Sequence, residues 1–370
     1  MRQYQGFAMQ IMTLSPVHIG TGATLMQDYD YVVHERRTYR LDPDAVGEAF
    51  LIDEAGQLKQ KQAETPPGQL LQKADFARAD LFRYVIAGAP RSQGEGAQVR
   101  ECIKTPDDRP YLPGSSLKGA LRTALGWVGW DEVRPRLDKS VLGRNRSWAG
   151  QQVERAIFGP HPNHDLLRAL HVGDATGPGP GEALMLANAQ VVTKRNLGSP
   201  IEVEAIGPEA RFAGRLNIDE SLFTPEAERE LHLGGRRRWL DELPQRANQH
   251  AQARIGEMSR WFAESELGRR TAGFYRQLGD IAASLPANQF LLQLGWGSGW
   301  DGKTFWTHLQ ADGQLFEWIV SNYRMTVRGA AARKPGDPFP RSRRALIRRG
   351  QADAPFGWVL VELQPHRAGG

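Results

Sequence analysis

The strongest candidate for a site of chemistry is a short stretch in the first half of the chain that reads PGSSLKGALR. It holds two hydroxyl groups, two cations one helical turn apart and a glycine that leaves room for a ligand. Serine is a good N-cap, so either serine is expected to begin a helix. The free N–H groups and the dipole at a helix N-terminus favour an anion. These features predict a phosphate-binding site formed by Ser115, Ser116, Lys118, Gly119 and Arg122.

The element that must position this site is an amphipathic helix. Apolar side chains recur at helical spacing through the segment and predict one buried stripe. Without a ligand, the same pattern also fits an ordinary helix with a serine cap and solvated basic residues. The literal string PGSSLKGxxR resembles the signature of the RAMP superfamily, the RRM-like RNA-binding subunits of CRISPR effector complexes. The predicted stripe consists of Leu117, Leu121, Ala124, Leu125 and Val128.

A second motif, SPVHIGTG, follows a predicted strand over Gln5–Leu14. Its glycines permit a close backbone approach, and its imidazole could contact RNA or act as a general base. The alternative is that His18 only packs and hydrogen-bonds to hold the loop. The motif is similar to the opening of a RAMP subunit. The residues that this resemblance assigns to RNA are His18, Gly20, Thr21 and Gly22.

A third motif, GWGSGWDGKT, follows a predicted strand over Asn288–Leu294 and precedes a helix expected over 302–322. Gly297 with Gly302-Lys303-Thr304 satisfies the P-loop pattern, so a nucleotide-binding loop is one alternative. RAMP subunits carry a C-terminal glycine-rich loop on the RNA backbone, which is the interpretation preferred here. The RNA contacts that it implies are Gly295, Trp296, Gly297, Gly299 and Lys303.

The most basic segment lies near the C-terminus, where FPRSR precedes a predicted closing strand, PFGWVLVEL. This pair of elements resembles the subunit type that caps the crRNA 3′ end in the type III-A Csm complex. The alternative is an exposed Pro/Arg loop without a ligand. The cations that the resemblance assigns to RNA are Arg341, Arg343 and Arg344.

Composition limits the function classes. The chain has 370 residues, of which 40% are hydrophobic, so we expect two domains with real cores. The sequence pI of about 9.4 suits an acidic partner. A single cysteine, Cys102, excludes an internal disulfide framework and fits a reducing compartment. With no secretory leader and no apolar run of membrane-spanning length, we expect a cytoplasmic protein that makes no use of a membrane.

The fold implied by the resemblance is α+β, with two RRM-like (ferredoxin-like) domains over 1–205 and 206–370 and a helical segment over 223–285. Local patterns further predict helices over 43–55 and 69–87 and a strand over 323–328. The spacing of His161, His164 and His171 fits no zinc motif, so no metal or other cofactor is predicted. Asp28 and Asp30 are interpreted as structural carboxylates.

The function implied by the resemblance is crRNA binding without catalysis, in support of crRNA maturation and antiviral defence. The expected partners are crRNA, target RNA through the guide, a repeated RAMP backbone subunit and a small helical subunit, with trimming left to a separate host nuclease. The alternative is a metal-independent RAMP endoribonuclease, with His18 as base and Lys118 or Lys303 stabilising the phosphorane.

Overall fold

Two β-sheets and a set of helices organise the chain, and the predicted α+β class is confirmed. The computed structural model describes residues 3–52, 57, 59, 64–326 and 333–366. Its strands are β1 (Tyr4–Thr13), β2 (Gly20–Met26), β3 (Tyr31–His34), β4 (Arg37–Leu41), β5 (Phe82–Ala87), β6 (Gln98–Cys102), β7 (Tyr111–Leu112), β8 (Leu170–Val172), β9 (Ala175–Thr176), β10 (Leu184–Val192), β11 (Ile201–Ile206), β12 (Arg211–Asp219), β13 (Gln289–Gln293), β14 (Arg343–Arg348), β15 (Gln351–Ala354) and β16 (Trp358–His366).

The α-helices concentrate in the second half of the chain, and the helical segment predicted over 223–285 is confirmed. Their bounds are α1 (Pro43–Val46), α2 (Pro67–Leu70), α3 (Gly114–Val133), α4 (Gln151–Phe158), α5 (Pro180–Ala183), α6 (Pro225–Leu231), α7 (Arg238–Asp241), α8 (Leu243–Ala263), α9 (Arg269–Ser284), α10 (Trp306–Gln310) and α11 (Gly313–Asn322). No helix among the described residues is both long and apolar enough to cross a membrane.

The first sheet is organised around β1, which pairs antiparallel with β12 on one side and with β16 on the other. The strand order is β13-β16-β1-β12-β9-β7, and β8 also pairs with β12. Met9 and Ile11 point into the core at 1% and 2% exposure, as the alternation of β1 predicts. The first and last strands of the described chain therefore lie side by side.

The second sheet follows the order β2-β6-β11-β10-β5-β4-β3, with β14 added to β10 and β15 added to β14. Each sheet takes strands from both sides of residue 205, because β12 joins β1 in one sheet and β14 joins β10 in the other. The division of the chain into domains at 205 stays a prediction.

Helix α3 places the first motif against the core. All five residues of its predicted stripe are buried, so this prediction is confirmed. The helix packs against α8 and α4, and two of its glycines meet aromatic rings from other elements. A side chain on Gly126 would touch Phe158 and Phe305, and one on Gly129 would overlap the ring of Trp239. Helix α3 approaches its neighbours closely because these positions lack a side chain.

Several local predictions are wrong. The helix expected over 69–87 is replaced by α2, short 3₁₀ turns and β5, because Phe82, Tyr84 and Ile86 are buried in alternation and complete the second sheet. In place of the helix expected over 43–55, the chain forms α1, which ends at Val46, and a π-helical turn over Gly47–Leu51. Residues 53–56 lie outside the described residues.

The C-terminal half contains two further corrections. The helix expected over 302–322 is broken into a 3₁₀ turn, α10 and α11, because Asp312 caps a new helix by accepting from the N–H groups of Gln314 and Leu315. No strand forms over the described part of 323–328, where Arg324 adopts a positive φ of 49° at the end of α11. Residues 327 and 328 lie outside the described residues.

Helix α3 contains one glycine packed against an aromatic ring and another in open space, and the pair gives a stability test. Gly129→Ala should destabilise the protein by about 1–3 kcal/mol through overpacking against Trp239, although alanine favours the helix by about 1 kcal/mol. Gly119→Ala is the matched control on the same helix, since an added Cβ there meets nothing within 4 Å. It should stabilise the helix by about 0.5–1 kcal/mol. Urea unfolding measures both variants, and shifts of the same sign would contradict the packing account.

Candidate nucleic-acid interface

The start of α3 differs from its prediction in one respect. The helix begins at Gly114 after Pro113, and neither serine caps it. The carboxylate of Asp174 takes that place, since its Oδ1 accepts from the Gly114 N–H at 2.7 Å. A side chain on Gly114 would overlap the backbone of the β8–β9 turn, so the close approach requires glycine. One amide of the predicted anion site is therefore already occupied by an internal acid, while Ser115 remains exposed.

The two cations of α3 have different surroundings. Arg122 donates from Nη1 to Asp165 at 2.8 Å and from Nη2 to Glu154 at 3.1 Å. Lys118 lies beside this network but forms no ion pair with the described residues. Partial burial lowers the Lys118 pKa, and Arg122 lowers it further against the opposing effect of Asp165. Of the two, Lys118 is the cation that an anion would stabilise, because the charge of Arg122 is already compensated.

The second and third motifs meet in space. The N–H of Trp296 donates to the carbonyl of His18 at 2.8 Å. Gly295 allows this approach, because it has φ of 67° and a side chain there would overlap the His18 carbonyl. Gly20, Thr21 and Gly22 continue from His18 as the exposed start of β2. The opening loop and the glycine-rich loop therefore form one continuous surface.

The side chain of His18 is inside this junction and not on its surface. It is 2% exposed, and its Nδ1 lies 2.6 Å from the carbonyl oxygen of Glu204. A carbonyl only accepts, so Nδ1 carries the proton and donates. Burial lowers the His18 pKa, and the nearby Arg100 lowers it further, which keeps the ring neutral. The ring packs edge-on against Trp296 at 5.8 Å between centroids. This geometry favours the packing role over that of a general base, which must reach the proton it removes.

The tryptophan of the junction supports two arginines. The guanidinium carbons of Arg344 and Arg100 lie over the Trp296 ring, at 4.8 Å and 5.5 Å from its centroid. Both arginines are exposed, and neither forms an ion pair with the described residues. Lys303 is exposed nearby, and its pKa is lowered by partial burial and by Arg344. We call Arg100, Trp296, Lys303 and Arg344 the cationic cluster.

The positive charges of the cationic cluster are not balanced by ion pairs with the described residues. Partial burial lowers the pKa of Arg344, and the charge of Arg100 lowers it further. Like charges held together are unfavourable unless an anion lies between them. Arg100 is the one member that sequence reasoning missed. Arg100 faces outward beside buried Val99 on β6, and the alternation of that strand could have predicted its exposure. Its proximity to Trp296 follows only from the fold.

The C-terminal basic segment divides between surface and core. Arg341 and Arg344 are exposed, whereas Arg343 is 8% exposed and its guanidinium lies 2.8 Å from Asp301 and 3.6 Å from Glu257. The prediction of Arg343 as an RNA contact is therefore wrong. The reason is the alternation of β14, which turns Arg344 outward and Arg343 inward.

The glycine-rich loop is not a P-loop. The carboxylate of Asp301 lies inside the loop, fully buried, and pairs with Arg343 at 2.8 Å and with Arg254 at 3.3 Å. A P-loop presents its amides and lysine to a phosphate, with Ser/Thr at the start of a helix. Here Thr304 is extended and its hydroxyl donates to the carbonyl of Trp300 at 3.0 Å. The structure therefore contradicts the nucleotide-loop alternative, because a buried acid fills the loop and Thr304 does not begin a helix.

Metal ligation has no candidate in the part of the chain that the structure describes, where no three His, Cys, Asp or Glu side chains form a group able to hold an ion. The three histidines considered for zinc do not form one group. His161 and His164 touch each other, whereas His171 packs against Tyr4.

The comparisons of this sequence with known proteins all find members of one superfamily. The sequence profile of the RAMP superfamily matches residues 10–248. The chain is 23% identical to the CRISPR system Cms protein Csm5 of Streptococcus thermophilus, over 84% of this chain and 83% of the relative. It is 25% identical to the protein of the same name from Mycobacterium tuberculosis, over 81% and 83%.

Solved structures show the same fold. A chain of the cryo-EM structure of a Csm–crRNA–target RNA ternary complex, from a type III-A CRISPR-Cas system, matches with a TM-score of 0.72 and 24% identity, covering 96% of this chain and 100% of that one. The crystal structure of T. onnurineus Csm5 matches with a TM-score of 0.64 and 22% identity, covering 95% and 99%.

The buried acid of the glycine-rich loop gives a second test. Asp301→Asn removes the carboxylate charge that faces two buried guanidiniums, and we expect it to cost about 3 kcal/mol of unfolding free energy. Asp80→Asn is the control, because Asp80 pairs with Arg78 on the exposed surface and its loss should change stability little. Guanidinium chloride unfolding measures both variants. Equal stability of the two would show that Asp301 does not hold the loop.

Proposed function

The chain belongs to the RAMP superfamily, as its motifs predicted, and from this premise we propose that it binds crRNA without catalysis and caps the crRNA 3′ end in a type III-A CRISPR Csm complex. Its distant relationship to Csm5 proteins over four fifths of its length supports the choice of subunit. We interpret each of the two sheets as the core of one RRM-like unit, built from strands of both parts of the chain.

The observation that carries the proposal is the cationic cluster. It gathers three cations that form no ion pair with the described residues, on the surface where the second and third motifs meet. Phosphates of an RNA strand supply the missing negative charge, and contacts to phosphate carry no sequence information. A subunit that must accept any guide sequence requires this kind of contact. Lys118 and the exposed Ser115 at the start of α3 extend the same chemistry.

Trp296 acts in this proposal as a support for the arginines. Its ring also contacts Phe356 and His18 edge-on, at 5.8 Å in both cases. These contacts fix the ring, and the guanidiniums lie over it in cation–π geometry. Arginines held in this way lose less conformational freedom when they bind a phosphate.

The assembly follows from the same proposal. The subunit contacts the repeated RAMP backbone subunit and the small helical subunit, reaches target RNA through the guide, and influences the 3′ maturation of crRNA, while a separate nuclease trims the RNA. The segment FPRSR supports this choice, because it places Arg341 on the exposed surface and leads directly into Arg344, which is also exposed.

Replacement of both arginines of the cluster tests RNA binding. Arg100→Gln with Arg344→Gln should weaken crRNA binding about tenfold or more at moderate salt and reduce the slope of log K against log salt by about 1.4, for two lost phosphate contacts on single-stranded RNA. Fluorescence anisotropy over a salt series measures both quantities. Arg78→Gln with Arg83→Gln is the matched control, because it removes the same charge from arginines paired with Asp80 and Asp108. Equal loss in both double variants would contradict a specific site.

The position on the guide is tested in the assembled complex. crRNA with a photoreactive nucleotide at either end is incorporated, irradiated and analysed for crosslinks to this chain. We expect crosslinks from the 3′ end, and crosslinks from the 5′ end alone would contradict the capping role. Cleavage of repeat RNA by the purified chain without metal would overturn the non-catalytic part of the proposal and support the endoribonuclease.

A further inference from the structure

A cavity of about 300 Å³ lies between α3, α4 and the C-terminal helices, next to the cationic cluster. Its size is at the lower end of the range for small-molecule sites. The wall is mostly apolar and aromatic. The wall residues that matter here are Trp130, Val153, Trp300, Phe305, Leu309 and Tyr323.

Cations surround this apolar space. Arg122, Arg146 and Lys303 line it together, and Lys303 also belongs to the cationic cluster. Glu154 compensates Arg122, whereas Arg146 and Lys303 are exposed and form no ion pair with the described residues. An apolar, aromatic interior with a positive rim matches a nucleotide, which joins a flat aromatic base to a phosphate.

We propose that this cavity, named here the base cavity, holds the base of one unstacked nucleotide of the bound RNA, with the adjoining phosphates on Lys303 and Arg146. The inference rests on the proposed function and adds the location and the chemical nature of one contact. Bases of single-stranded RNA commonly stack on aromatic side chains.

The hydroxyl groups of the wall indicate that the base cavity accepts any base. The Tyr323 hydroxyl donates to the Gly143 carbonyl at 2.6 Å, and the Thr304 hydroxyl donates to the Trp300 carbonyl. The Thr123 hydroxyl donates to the carbonyl of Gly119 at 3.1 Å. Because these donors are used within the protein, they are not directed at the edge of a base. Binding then depends on stacking and charge, which suits a guide of variable sequence.

Gly150 provides a way to close the base cavity. It lines the cavity at the start of α4, has an ordinary φ of −90°, and an added Cβ meets nothing within 4 Å. Gly150→Trp therefore fills the cavity without strain in the backbone. Gly150→Ala is the control at the same position, because it leaves the cavity open. Gly179→Trp is a second control, at another helix N-cap with open space.

The experiment combines crosslinking with affinity. crRNA carrying 4-thiouridine at successive positions near the 3′ end is bound to the full chain, irradiated and mapped by mass spectrometry. We expect one position to crosslink to the aromatic wall, and Gly150→Trp to abolish this crosslink and weaken binding by about fivefold or more, as for the loss of one stacked base. Gly150→Ala and Gly179→Trp should keep both the crosslink and the affinity.

The outcomes separate this inference from the proposed function. If the wild-type chain binds crRNA but its crosslinks all lie outside the cavity, the inference is wrong and the proposed function stands. The same holds if Gly150→Trp binds crRNA normally but no longer joins the backbone subunit, since the cavity would then accept a protein side chain. If the wild-type chain does not bind crRNA, both fail. The wild-type map decides the question even where Gly150→Trp does not fold.

Discussion

The hydrogen bond from the Trp296 N–H to the carbonyl of His18, at 2.8 Å, is the interaction on which the candidate site depends. It joins the loop that contains His18 to the loop that contains Trp296, and a side chain at Gly295 would overlap the His18 carbonyl and prevent this close approach. The junction fixes the indole, and the indole in turn orients Arg100 and Arg344 from two different strands. A contact between backbone groups thus determines where the surface charge is placed.

Whether an arginine is paired with an acid matters more here than the net charge of +5. Pairing separates the arginines that stabilise the fold from those proposed to bind RNA. Arg254 and Arg343 are buried around Asp301, which compensates them and holds the glycine-rich loop from inside. Arg344 follows Arg343 directly in the sequence, yet it reaches the surface and carries no ion pair with the described residues. Burying an arginine requires a partner, whereas a binding arginine must keep its charge available. Of these two adjacent residues of β14, Arg343 therefore stabilises the fold, whereas Arg344 keeps its charge available for a ligand.

Sequence patterns predicted the parts of the fold that local periodicity determines. The stripe of α3 and the strands β1, β13 and β16 were predictable, because the spacing of their apolar residues indicates which face is buried. The helix expected at 69–87 failed because strand β5 acquires its preference from pairing with β4, which lies far from it along the chain. The serine cap failed because Asp174 reaches the helix from a distant turn. Arg100 was missed for the same reason, since only the tertiary fold brings it to Trp296.

Lys303 connects the two proposed contacts with RNA. It belongs to the cationic cluster through its interaction with Arg344, and it lines the base cavity together with Arg122. A strand that crosses the cluster through its phosphates would therefore arrive at the cavity with a phosphate on Lys303 and its base turned inward. Neither contact reads a base edge, so affinity comes from charge, stacking and the shape of the path. Under the proposed function, the glycine-rich loop would serve every guide, because its contacts are with the chemistry common to all RNA and not with a particular sequence.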